Sequence, residues 1–149
     1  MDATDKIILN ALQEDFPVDS RPFGVLSQKI GVGEEEIIQR VNSLVENKII
    51  RRIGASLNPK AVGLSTTLIG MEVSEERIGE VVDIVNAYPE VTHNYQRVAE
   101  DYNLWFTIAA KSNEEMTRII EEIREKTGIE RIINLPSVKT FKIRVRFEV

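Results

Sequence analysis

Residues 91–110 read VTHNYQRVAEDYNLWFTIAA. The stretch contains two runs rich in β-branched and aromatic side chains, Val91 to Val98 and Tyr102 to Ala110, with a polar turn at residues 99–101 between them. Two such runs joined by a short polar turn predict an antiparallel β-hairpin. The stretch also holds the one histidine and the one tryptophan of the chain.

Elements on both sides of this hairpin complete a β-α-β-β-α-β order. The apolar periodicity predicts a strand at 65–73, a helix from Glu75 to Tyr88 capped by Ser74, a helix from Ser112 to Lys126, and a β-like run from Ile129 to Leu135. This order is typical of the ferredoxin-like split βαβ unit. The helices of such a sheet cover one face, so we expect the other face to be apolar and to lie against a second chain.

Near the C-terminal end, residues 141–147 alternate strictly between apolar and basic side chains. One face carries Phe141, Ile143, Val145 and Phe147, and the other carries Lys142, Arg144 and Arg146. The period of two predicts a strand from Val138 to Val149. Its basic face is interpreted as solvated, with use by a partner subunit as the alternative.

The first sixty residues predict three short helices and a wing. Apolar side chains recur at helical spacing from Asp5 to Leu12 (with Thr4 or Asp5 as the cap), in a short run that ends at Gly31, and from Glu34 to Asn47. Ile49 to Ile53 is predicted to be the wing strand. The chain is therefore predicted to be α+β, with a winged helix-turn-helix domain at 1–60 and a ferredoxin-like domain at 61–149.

The charge of the third helix argues against its usual role in DNA binding. Between Gly33 and Asn47, Arg40 is the one basic residue beside four glutamates. Proteins gain much of their affinity for DNA by neutralising phosphates with Lys and Arg. We therefore expect no sequence-specific DNA binding.

The composition of the chain excludes several other classes of function. The 149 residues include no cysteine, which excludes disulfides, thiolate metal sites and cysteine nucleophiles. No apolar run approaches the ~20 residues of a membrane span, and the polar, acidic first residues do not form a signal peptide. A cytoplasmic protein without membrane contact is expected. Spacings typical of nucleotide-binding loops or zinc sites are also absent from the sequence.

A winged helix followed by a βαββαβ domain resembles the Lrp/AsnC family over essentially the whole chain. Within it, three segments are similar to the siroheme decarboxylases of the alternative heme and heme d1 pathways: VTHNYQR at 91–97, DYNLWFT at 101–107 and IIRRIGA at 49–55. The resemblance implies removal of CO₂ from the C12 and C18 acetates of siroheme, giving didecarboxysiroheme. It also implies a complex of two paralogous subunits, with a homodimer as the alternative. No cofactor is expected beyond the substrate, an iron tetrapyrrole that carries its own electron sink.

The resemblance also implies a set of site residues. Strand alternation puts His93, Tyr95 and Arg97 on one face, which favours a common site. His93 and Tyr95 are the predicted catalytic residues, because histidine readily exchanges a proton near neutrality. The predicted substrate-binding residues are Arg97, which can hold a carboxylate with its guanidinium fork, together with Arg51, Arg52, Asn94, Tyr102 and Trp105.

Several of these assignments have alternatives that the sequence leaves open. His93 is a proton donor, an axial ligand of the siroheme iron, or a structural residue. Trp105 is either a wall for the macrocycle or part of the core, and Arg51 and Arg52 either bind carboxylates or form a wing salt bridge. For the whole chain, the alternative functions are a transcriptional regulator and a tetrapyrrole sensor without turnover. The sequence also leaves open whether the chain is the catalytic or the supporting subunit.

Overall fold

The computed structural model describes the chain in four stretches, residues 1–99, 101–142, 146–147 and 149. These residues form two compact units, one of Met1–Ala55 with Lys142–Val149 and one of Ser56–Phe141. The boundary at residue 60 stays a prediction, and the last residues group with the first unit. Within the described part of the chain, no helix has the length and apolar character needed to cross a membrane.

The first unit contains three helices, α1 (Ala3–Glu14), α2 (Pro22–Ile30) and α3 (Glu34–Glu46). Their apolar stripes meet in a small core of Ile8, Leu26, Ile37 and Val41, all at most 3% exposed. α2 begins with a proline, whose fixed φ suits the first turn, and ends at Gly31 in the left-handed conformation. The three predicted helices are confirmed.

α1 starts earlier than its apolar pattern suggests. Asp2, and not Thr4 or Asp5, is the N-cap: its side chain accepts from the Asp5 backbone N–H, and the Asp5 carboxylate accepts from the Asp2 N–H. Both carboxylates also bind Arg40 of α3, at 2.8 Å each. These bonds hold the pKa of both carboxyl groups below its ordinary value, chiefly through the reciprocal backbone hydrogen bonds and then through Arg40.

The predicted wing strand at Ile49 to Ile53 is wrong. The backbone N–H groups of Ile49 and Ile50 both donate to the Leu44 carbonyl, at 2.9 and 3.0 Å, and so close the end of α3. Lys48 takes a positive φ of 59°, which turns the chain there. Because these N–H groups cap the helix, they are not available to a strand ladder, and β propensity alone could not reveal this.

The C-terminal stretch packs on α1. The Gln13 side chain donates to the Phe147 carbonyl at 3.0 Å and accepts from the Phe147 N–H at 2.9 Å, and Arg146 pairs with Glu14. No strand is present in the described residues between Val138 and Val149. The predicted strand is therefore not found there, and residues 143–145 and 148 lie outside the described part of the chain.

The second unit confirms the β-α-β-β-α-β order. Its elements are β1 (Ser65–Met71), α4 (Ile78–Asn86), β2 (Val91–Gln96), β3 (Leu104–Ala110), α5 (Asn113–Thr127) and β4 (Ile132–Pro136). Short 3₁₀ turns at Pro59–Val62 and Glu75–Arg77 precede β1 and α4, so α4 begins three residues later than predicted. The four strands form an antiparallel sheet in the order β2-β3-β1-β4, and the predicted α+β class is confirmed.

One face of this sheet carries the core of the unit. Alternate residues of β3, Leu104, Phe106 and Ile108, are at most 1% exposed, and Ile69 and Met71 of β1 join them. They pack with the inward stripes of the helices, which include Val81 and Val85 of α4 and Met116, Ile119, Ile120 and Ile123 of α5. Ser112 caps α5 by accepting from the Glu115 N–H. The predicted cap Ser74 precedes the 3₁₀ turn and makes no side-chain capping hydrogen bond. The opposite face of the sheet carries the candidate site.

Candidate functional site

The strand register brings the predicted site residues into rows across the face that the helices leave uncovered, here called the open face. Tyr95 pairs with Trp105, Trp105 with Gly70, and Gly70 with Ile133, so one row crosses all four strands. A parallel row consists of His93, Thr107, Leu68 and Leu135. Side chains two residues apart share a face, so the two rows form one continuous surface. Tyr95, Leu68 and Leu135 are 48%, 41% and 43% exposed.

His93, Tyr95 and Arg97 lie side by side at one edge of the open face. The rings of His93 and Tyr95 are stacked with centroids 6.3 Å apart, and the Arg97 guanidinium carbon lies 5.8 Å from the Tyr95 ring centroid. A bulge between Val91 and His93 shifts the register, yet His93 still pairs with Thr107. The His93 ring is exposed, with Nδ1 3.1 Å from Thr92 Oγ1. The common face predicted for these three residues is confirmed, and their roles stay predictions.

Trp105 also belongs to the open face, so its alternative role in the helix-covered core is excluded. Its indole Nε1–H donates to the Tyr102 carbonyl at 2.7 Å, and the two rings meet edge to face at 6.1 Å. The Arg131 guanidinium carbon lies 5.7 Å from the Tyr102 ring centroid. The Glu72 carboxylate, the Tyr102 hydroxyl and Asp101 all face this guanidinium and together raise the pKa of Arg131. Tyr102, Trp105 and Arg131 therefore form a fixed cluster at the start of β3.

Asn94 is separated from the other predicted residues. It pairs with Phe106 on the helix-covered face, and its amide donates to the Asn86 side chain at the end of α4, at 2.9 Å. Asn94 therefore holds β2 to α4, and its predicted part in substrate binding has no support from the geometry. Arg51 and Arg52 lie in the first unit, where both side chains are exposed.

A surface pocket of about 510 Å³ lies beside Asn103, at the end of the sheet where Glu72 follows β1. Its lining includes four acidic residues and one basic residue, namely Glu72, Glu75, Asp101, Glu130 and Arg131. An excess of carboxylates repels an anionic ligand, so this pocket does not suit a substrate with many carboxylates. Among the described residues, no cluster of three or more His, Asp or Glu side chains is arranged to hold a metal ion.

Sequence reasoning missed three residues of the open face. Gly70 and Ile133 complete the row that contains Trp105, and Arg131 fixes Tyr102. An isolated glycine within a strand pattern often marks a close approach of another group, and that signal was present at Gly70. The sequence did not indicate that Ile133 and Arg131 would lie across β1 from the hairpin residues Trp105 and Tyr102, because the register of β4 against β1 depends on long-range contacts.

Comparison with known proteins assigns both parts of the chain. Residues 61–142 match the family model described as an AsnC-like ligand binding domain, and residues 5–51 match the model of a siroheme decarboxylase NirDL-like HTH domain. The siroheme decarboxylase alpha subunit of Desulfovibrio desulfuricans is 43% identical over 147 residues, which cover 99% of this chain and 84% of that protein.

Solved structures agree with these matches. The crystal structure of the siroheme decarboxylase NirDL in co-complex with an iron-uroporphyrin III analogue is similar with a TM-score of 0.69 and 32% identity. That match covers 95% of this chain, which spans about half (47%) of the NirDL chain. E. coli AsnC has a TM-score of 0.81 over 98% of this chain and 97% of its own, at 21% identity, and shows the common fold alone.

Proposed function

The chain belongs to the siroheme decarboxylase family of AsnC-like proteins, and from this membership we propose that it is a siroheme decarboxylase subunit. The reaction removes CO₂ from the C12 and C18 acetate side chains of siroheme and gives didecarboxysiroheme. The observation that carries the proposal is the similarity to a siroheme decarboxylase alpha subunit over 99% of the chain, helix-turn-helix and sheet together. No described feature favours a regulator.

The open face supplies side chains that suit this reaction. When the bond to CO₂ breaks, its electron pair passes into the conjugated macrocycle, and the methylene carbon must take a proton to become a methyl group. His93 is the proposed proton donor, with Tyr95 stacked beside it as the second candidate. Arg97 is proposed to hold a substrate carboxylate, because its guanidinium lies next to Tyr95 at the exposed edge.

Aromatic side chains are proposed to hold the flat part of the substrate. Tyr95 and Trp105 are direct cross-strand neighbours on the open face, so both rings are available to one flat ligand. Tyr102 and Arg131 stand at one end of this surface, where a second cation lies next to an aromatic ring. In this proposal Arg97 binds a carboxylate of the substrate, and the aromatic side chains bind the macrocycle itself.

The partner is proposed to be a second chain of the same fold, paralogous or identical, that lies against the open face with the ligand near the interface. Leu68 and Leu135 are more than 40% exposed there and are adjacent in the register. The name 'alpha subunit' of the similar Desulfovibrio desulfuricans protein also indicates that this relative is part of a multi-subunit assembly. Sedimentation of a stable monomer at micromolar concentration, with full activity, would contradict this proposal. A cytoplasmic location stays a prediction.

The function is tested by incubating the purified chain with siroheme under anaerobic conditions, alone and with a paralogous subunit. Mass spectrometry should show the successive loss of one and then two CO₂ from the substrate. Binding without any loss of CO₂ in either mixture would indicate a tetrapyrrole sensor instead. Activity that appears only with the paralogue would identify this chain as dependent on its partner.

Of the three roles left open for His93, proton donor and axial iron ligand predict different absorption spectra of the bound siroheme. We propose that it donates a proton and does not ligate the iron. The absorption spectrum of bound siroheme should then be the same in the parent protein and in His93→Ala. A change in the iron's axial ligation on this substitution would assign His93 as a ligand.

A further inference from the structure

Gly70 occupies an unusual position on the open face. It lies in the centre of the four-stranded sheet, between Trp105 of β3 and Ile133 of β4, and it is buried although no helix covers this side. Its φ is not among the positive values that favour glycine, which occur at other glycines of the described chain. The need for glycine at this position is therefore a matter of space.

The space above Gly70 is filled by its two neighbours. A Cβ atom at this position would lie 2.9 Å from Ile133 Cγ2 and 3.0 Å from both Cη2 and Cζ3 of the Trp105 indole. Ordinary carbon–carbon contacts are about 3.5–4.0 Å. The six-membered ring of the indole therefore rests directly on the backbone of β1.

Two contacts hold the indole of Trp105 in this position against β1. Its Nε1–H donates to the Tyr102 carbonyl at 2.7 Å, and the two rings meet edge to face. A side chain at position 70 would thus lift the ring of Trp105 or break its hydrogen bond to Tyr102. Protein interiors resist such overpacking, because neighbouring groups are already close-packed.

We propose that Gly70 is a positioning residue of the tetrapyrrole site: its lack of a side chain lets Trp105 lie flat across β1. The indole then continues the surface begun by Tyr95, and the macrocycle can lie against both rings. This inference rests on the proposed function. Gly70 itself touches no reacting atom, so its effect passes through Trp105.

The test compares Gly70→Ala with Gly79→Ala. Gly79 lies in α4 with nothing within 4 Å of its would-be Cβ, so it is a matched glycine-to-alanine control in the same unit. Trp105 is the one tryptophan of the chain, so fluorescence excited at wavelengths that tyrosine and phenylalanine do not absorb reports on this ring alone. Iron uroporphyrin III serves as the binding probe. Its binding is measured by the quenching of Trp105 fluorescence and by the change in the absorption of the probe.

Gly70→Ala is expected to shift the emission spectrum of Trp105 and to weaken probe binding by about tenfold or more, as expected for a displaced contact in a packed site. Turnover of siroheme at saturation should change much less than the KM, because the proton donor is untouched. Gly79→Ala should resemble the parent in all three measurements. Circular dichroism identifies the temperatures at which each variant is folded.

A second variant covers the case in which Gly70→Ala does not fold. Gly70→Ala combined with Ile133→Ala removes the shortest contact, and it should fold while retaining the altered Trp105 emission and part of the binding defect. Parent-like emission and binding in a folded Gly70→Ala or in the double variant would overturn the inference and leave the proposed function standing. Failure of the parent protein to bind the probe or to decarboxylate siroheme would instead contradict the proposed function.

Discussion

Replacement of His93 by alanine should separate chemistry from stability. The ring is exposed, and its contacts are the 3.1 Å approach to Thr92 and the stack with Tyr95. Loss of such contacts costs about 0.5–1 kcal/mol. Small domains have roughly 5–15 kcal/mol of stability, so nearly all molecules should remain folded. His93 also lies on β2, which is an edge strand of the sheet.

The expected effect of His93→Ala on the reaction is much larger. General acid catalysis contributes about 10²–10⁴-fold, so the rate of CO₂ loss should fall by that factor, equivalent to roughly 2.7–5.5 kcal/mol in the barrier. The assay is anaerobic single-turnover decarboxylation of siroheme, followed by mass spectrometry, with thermal melting measured on the same sample. Gln96→Ala is a matched control, because Gln96 is an exposed residue of the same strand paired with Leu104 on the helix-covered side.

A folded His93→Ala protein that decarboxylates siroheme at close to the parent rate would refute the assignment. The proton donor would then have to be Tyr95, Tyr102 or a residue of the partner chain. A fall in rate that follows the fraction of unfolded protein would show that His93 is structural. Tyr95→Phe tests whether Tyr95 is the proton donor, since this substitution keeps the ring that stacks on His93 and removes only the hydroxyl.

Three further predictions concern the scaffold. Asn103→Ala should lower the free energy of unfolding by about 1–3 kcal/mol in chemical denaturation, because its side chain bonds both the N–H and the carbonyl of Val73, at 2.9 and 2.7 Å; an unchanged midpoint would contradict this. The lowered pKa values of Asp2 and Asp5 stabilise the fold above the ordinary carboxyl pKa of 3.8, and this contribution should disappear as the pH falls below it. Acidification from neutral pH to below 3.8 should therefore lower the melting temperature of Asp2→Asn less than that of the parent. The asparagine retains a capping side chain but has no carboxyl group to titrate. Equal decreases in the two proteins would refute the link between the lowered pKa and stability. Duplex DNA should show no salt-sensitive binding in a titration near physiological ionic strength, because Arg40, the one basic residue of α3, is already bound to the carboxylates of Asp2, Asp5 and Glu36. An affinity that falls steeply with added salt would refute this.

The sequence by itself determined the elements whose signals are local. Period-two alternation placed His93 and Tyr95 on one face, and period 3.6 identified the five helices. The order of these elements was sufficient for the ferredoxin-like assignment, because few topologies connect them without crossing. The concentration of His, Tyr, Arg and Trp within the hairpin also marked the candidate site.

Only the tertiary structure decided the features that depend on long-range contacts. Alternation assigned Trp105 to one of two faces, but the helices had to be in place before that face was known to be the uncovered one. The pairing of β1 with both β3 and β4 brought Gly70 and Ile133 against the indole. The residues from Ile49 to Ile53 have high β propensity, yet their first two N–H groups close α3 instead. A backbone N–H can satisfy one strong acceptor at a time, and which acceptor it finds is settled by the folded chain around it.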